Sequence, residues 1–103
     1  MAYTRAVLAA LSDPTRCAIL ETLRTGPRSV GEIAADMPVS RPAVSQHLKV
    51  LKESGLVAET RQGTRHYFAI APEGLGELRA YLDALWSDAL AAFARHVEKE
   101  QAP

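Results

Sequence analysis

The chain has 103 residues, 48% of them apolar, and a formal net charge of zero. That length suits one domain around one core, no apolar run reaches the roughly 18 residues a membrane span needs, and the single cysteine, Cys17, excludes an internal disulfide and a multi-thiolate metal cage. The neutral total hides a split, because residues 1–72 carry nine Lys/Arg against six Asp/Glu while residues 73–103 carry three against six.

The opening MAYTRAVLAAL lacks the basic region, long apolar core and cleavage site of a signal peptide, so a cytoplasmic location is expected. Within it Tyr3, Val7, Ala10 and Leu11 recur at helical spacing and predict a helix too short to persist unless it docks. Asp13-Pro14 reads as an N-cap with proline at the first helical position, opening a second helix with Ile19, Leu20 and Leu23 inward, which Gly26-Pro27 ends. Ser29-Val30-Gly31-Glu32 has capping-box spacing, predicting a third, short helix to about residue 36 with Val30, Ile33 and Ala34 on its buried side. Met37-Pro38 stops it, since the residue before proline is pushed out of helical geometry.

Ser40 is the expected N-cap of a fourth helix, SRPAVSQHLKVLKESG, with Pro42 in its first turn. After Gly55 the pattern becomes extended: residues 56–61 and 65–70 flank Gln62-Gly63-Thr64, a short glycine-containing loop of hairpin type. Helical patterning resumes from Pro72 and runs to about Glu100, with Gly74 and Gly76 blurring its start. The predicted fold is mainly α with a small β-hairpin: a single winged helix–turn–helix domain over 1–103. Its helix–turn–helix spans about 29–54, its wing about 56–70 and its C-terminal dimerisation helix about 73–100.

On a helical wheel with Val44 at zero, Leu48 and Leu51 fall within about 40° of it, whereas Pro42, Gln46, Lys49 and Glu53 fall at about 140° to 200°. The outward face thus opposes the core. Ser45 and Gln46 are polar groups that both donate and accept, suited to base edges in a major groove. Arg41, Lys49 and the helix N-terminus suit phosphates. His47, on the flank of the buried face, is expected to pack or bond locally. In the hairpin Arg61 and Arg65 bracket the tip and His66 follows, suiting adjacent phosphates or a minor groove. The expected contacts with double-stranded DNA are therefore Ser40, Arg41, Pro42, Ser45, Gln46, Lys49, Arg61, Arg65 and His66.

Two apolar stripes run along the last helix, Leu78, Leu82, Leu85 and Ala89 beside Trp86, Leu90, Phe93 and Val97. One is expected to pack on the domain and the other, with the first helix, on a second copy. A twofold dimer would set two recognition helices about 34 Å apart, matching an inverted repeat. A winged-helix protein-interaction module is the alternative reading. Catalysis is set aside, because the chain has no glycine-rich phosphate loop and no nucleophile, base and orienter grouping.

LSDPTRCAILETL (11–23), SRPAVSQHLKVLKESGLV (40–57) and RQGTRHYFAI (61–70), in that order, resemble the ArsR/SmtB-type bacterial winged-helix repressors over nearly the whole chain. The resemblance implies a homodimer that represses transcription, reads DNA with the second helix of its helix–turn–helix, and pairs through its first and last helices. Metal-sensing members carry a cysteine-rich box where this chain has SVGEIAADM, so the resemblance is to the subgroup lacking that box. Of the family's zinc ligands on the last helix, this chain keeps Asp83 and His96 but has Leu85 and Lys99 at the other two places. With Glu100 as a substitute, Asp83, His96 and Glu100 make an incomplete set, so neither a metal nor any other cofactor is expected. Cys17, at a position usually apolar in the family, is the one candidate redox residue.

Overall fold

A computed structural model describes residues 2–101 of the chain. The first helix, α1 (Ala2–Leu11), turns Val7 and Ala10 into the core; Tyr3, expected beside them, has its side chain outside the described part. Helix α2 (Pro14–Thr22) begins where the Asp13 carboxylate accepts the Arg16 N–H at 2.9 Å, and it buries Ile19. Arg16 in turn donates through Nε to the Ala10 carbonyl at 2.7 Å, satisfying an end of α1 that has no helical partner. Strand β1 (Arg28–Ser29) follows and leads directly into α3 (Val30–Ala35). There the capping box is complete, with Ser29 Oγ accepting from Glu32 N–H and Glu32 Oε1 accepting from Ser29 N–H.

Helix α4 (Arg41–Glu53) is capped by Ser40, whose Oγ accepts the Ala43 N–H at 3.3 Å, and it buries Val44, Leu48 and Leu51. Gly55, at φ 84°, turns the chain out of it. Strands β2 (Val57–Gln62) and β3 (Arg65–Ile70) pair antiparallel from Val57↔Ile70 to Gln62↔Arg65. The connection is therefore two residues, not the three expected, with Gly63 alone taking a positive φ of 65° at its first position. Strand β1 adds to the other edge of β3 through Arg28↔Phe68 and Ser29↔Tyr67. The hairpin is thus two-thirds of a three-stranded sheet of order β1-β3-β2. Nothing in a two-residue strand after Gly26-Pro27 marks it in the sequence, because its only signal is the partner it meets.

The last helix, α5 (Pro72–Gln101), starts at the proline and passes straight through Gly74 and Gly76. Gly74 is buried against the Gly55–Leu56 turn, and a Cβ there would collide with the Gly55 carbonyl oxygen, whereas Gly76 faces open space. At 30 residues α5 is about 45 Å long, and the molecule measures 71 × 25 × 24 Å because that helix leaves the body. This corrects the expected division of its stripes. Leu78 packs on the core, but Leu82 and Leu85 of the same stripe are 50% and 49% exposed, alongside Trp86 at 67%, Leu90 at 51% and Phe93 at 67%. The half-buried Tyr81, beside Thr4, Arg5 and Leu8 of α1, is the last point at which α5 meets the body among the described residues, and past it the large apolar side chains of both stripes form one open side. Among the described residues no helix is long and apolar enough to cross a membrane.

The two glycines of α5 give opposite expectations. Gly74→Ala should lower unfolding free energy by about 1–3 kcal/mol through overpacking, while Gly76→Ala should raise it by up to about 1 kcal/mol through helix propensity. Urea denaturation of both variants checks the pair.

Candidate nucleic-acid interface

Burying Val44, Leu48 and Leu51 leaves Arg41, Pro42, Ser45, Gln46 and Lys49 exposed along the opposite side of α4. Ser40 is also exposed, but its hydroxyl is engaged as the cap, which leaves it a positioning role at the helix start. His47 behaves as its flank position suggests, with Nδ1 3.9 Å from an Asp13 carboxylate oxygen at the start of α2. Asp13 is held below the usual carboxylate range, mainly by the Arg16 backbone N–H, with Arg16 and His47 adding attraction. The α2 cap is thereby tied to the outward-turned helix.

In the wing Arg61 and Arg65 are exposed and occupy the tip. The Arg65 guanidinium lies by the Tyr67 hydroxyl and near Glu32, which both favour its charged form. His66 differs from its two neighbours. It is half-buried, and Nδ1 is hydrogen-bonded to Glu59 Oε2 across the strand pair at 2.5 Å, while Lys52 Nζ donates to Glu59 Oε1 at 2.9 Å. Glu59 thus bridges the last turn of α4 to both wing strands. Its carboxyl is held below the usual range first by the Lys52 hydrogen bond and then by that from His66. The sequence marks neither Glu59 nor Lys52 as a site residue, because seven residues separate each pair and no periodicity links a helix end to a strand.

Between α3, the start of α4 and the wing lies an open cleft of about 620 Å³ whose lining includes Gly31, Glu32, Arg41, Arg65 and His66. The cleft gathers three of the expected contact residues from two separate segments. The other candidates do not converge. Asp83 pairs with Arg79 at 3.8 Å and His96 with Glu100 at 3.1 Å; on one helix Asp83 and His96 are about 20 Å apart. Among the described residues no group of three or more His, Cys, Asp or Glu side chains could hold a metal ion. The Cys17 thiol is half-buried and donates to the Leu11 carbonyl at 3.1 Å, at the end of α1.

Two short helices crossing at a tight turn, the second with an outward polar face, and a basic wing beside it define a winged helix–turn–helix protein. Residues 13–59 match the family described as bacterial regulatory protein, arsR family. The chain is 53% identical over 91 residues to the HTH-type transcriptional regulator Rv2034 of Mycobacterium tuberculosis, covering 88% of this chain and 85% of that one. It is 38% identical over 64 residues to the transcriptional repressor SdpR of Bacillus subtilis, covering 62% and 71%. It is also similar to the homodimeric winged helix–turn–helix DNA-binding domain of Mb0332 from Mycobacterium bovis, a possible ArsR-family regulator, at a TM-score of 0.68 and 34% identity over 84% and 80% of the two chains. The chain belongs to the ArsR family of DNA-binding transcriptional regulators.

The Glu59 bridge has a definite pH signature. Because its folded-state carboxyl lies below the ordinary 4.5, its contribution is present above that value and is lost as pH falls through the depressed folded value. Glu59→Gln should therefore have a lower urea midpoint than the wild type at pH 6, and the two midpoints should converge at pH values well below 4.5.

Proposed function

We propose that the chain is a homodimeric repressor that binds an inverted-repeat operator and leaves it on a signal yet to be identified. The observation that carries this reading is the outer face of α4, where Ser45 and Gln46 stand exposed between Arg41 and Lys49. An ordinary solvated face favours Glu, Lys and Arg, good helix formers; small and amide side chains at its centre suit contact with base edges. In this reading Gln46 and Ser45 meet bases, and Arg41, Lys49, Arg61 and Arg65 meet phosphates. Ser40 and Pro42 set the helix start, and His66 acts through Glu59 to hold the wing.

The open apolar side of α5 supports dimerisation. Leu82, Leu85, Trp86, Leu90 and Phe93 are too large an exposed set for a monomer to leave uncovered. With Leu8 of α1 exposed as well, a second copy related by a twofold axis covers both and sets two α4 helices one DNA turn apart. The homodimeric Mycobacterium bovis relative is in keeping with this arrangement.

Selection of bound sequences from random duplex DNA tests the reading and should return an inverted repeat. Gln46→Ala should then relax preference at one position by about 1–3 kcal/mol, while Arg65→Ala should weaken all sequences alike and reduce the salt slope by about 0.9. Equal binding by wild type and both variants would sink the proposal. In sedimentation, Trp86→Glu should convert the dimer to monomer and leave only half-site affinity; an unchanged dimer would move the interface off α5.

A further inference from the structure

The first turn of α3 contains Gly31, whose missing side chain is occupied by another residue. A Cβ at position 31 would stand 2.5 Å from Nη2 and 3.0 Å from Cζ of Arg41, so the guanidinium lies in the space that any other residue would fill. Arg41 sits in the first turn of α4. A cation there opposes the positive end of the helix dipole, which local energetics disfavours. Among the described residues Arg41 pairs with no carboxylate, a property it shares with Lys49, Arg61 and Arg65, whereas Arg24, Arg28, Lys52 and Arg79 are all paired. A charge placed against its own helix dipole, without an internal counter-ion and with a seat made for it, is a local rule broken where a ligand would repay it.

Arg41 borders the cleft between α3 and the wing, and Arg65 and His66 also line it. The one carboxylate in the lining, Glu32, is turned back onto the Ser29 N–H at 3.0 Å, where that bond holds it ionised as part of the capping box. Arg41 and Arg65 thus border a cleft that is open, not an enclosed cavity, a shape that suits one sugar–phosphate strand. We propose that Gly31 is a positioning residue for DNA binding: it seats the Arg41 guanidinium across α3, so that Arg41 and Arg65 grip the same backbone strand from two sides. The proposal rests on the DNA-binding reading of α4 and names the residue that aims one of its phosphate contacts.

The test compares wild type, Gly31→Ala, Arg41→Ala and the double variant, measuring affinity for a selected duplex across salt concentrations, well below every melting temperature. Alanine is the better helix former, so Gly31→Ala should melt no lower than the wild type. It should nevertheless bind about three- to tenfold more weakly at low salt, with the slope of log affinity against log salt reduced by up to about 0.9, as for one lost phosphate contact. In the Arg41→Ala background Gly31→Ala should have no further effect. Wild-type affinity and slope in Gly31→Ala, or a penalty that adds in full to that of Arg41→Ala, would overturn the seat while leaving DNA binding intact. Inorganic phosphate displacing the duplex better than chloride at equal ionic strength would assign the cleft to a free anion instead. A wild type that selects no DNA would overturn both readings.

Discussion

Burial of Val44, Leu48 and Leu51 sets the rotation of α4 about its own axis, and the direction in which its polar face points depends on that rotation. Turning the helix by one residue, about 100°, would bring at least one of these side chains into water. Each fully buried aliphatic residue contributes roughly 1.5–3 kcal/mol, and a domain of this size holds only about 5–15 kcal/mol in total. Arg41, Ser45, Gln46 and Lys49 are therefore held outward by the packing of the opposite face of the helix. The same three residues join α4 to the cluster formed by Val7, Ile19, Ile33 and Leu56, so its outward polar face is referenced to the whole core.

The basic residues around that face are not equivalent. Glu59 engages Lys52 and His66, removing one cation and one imidazole from the groups available to phosphates and using them to hold the hairpin against the end of α4. Arg61 and Arg65 remain at the tip, beyond the short stretch where β1 supports β3. An acidic residue inside a basic region would, on charge alone, weaken attraction to DNA. Its two hydrogen bonds instead tie both wing strands to the last turn of α4.

The close approach of Gly74 to the Gly55 carbonyl does for α5 what the three buried residues do for α4. It brings the start of the helix onto the turn between α4 and β2, aiming the remaining length away from the body. The apolar side that results has no cover among the described residues, so the outward polar face of α4 and the open side of α5 are separated along a molecule 71 Å long.

The sequence by itself determined the helices and their rotations. Asp13, Ser29 and Ser40 cap helices through bonds to residues three positions on, and apolar spacing assigns the inner faces of α2, α3 and α4; both act within a few residues and are readable from the chain. The outward position of Gln46 and Lys49 followed from the same spacing. Tertiary structure decided what distant segments do when they meet. It added β1 to the sheet, turned His66 toward Glu59, left both stripes of α5 open and set Arg41 over Gly31. Each of these depends on how separate elements cross, and neither propensity nor periodicity encodes a distance between elements before the core has closed.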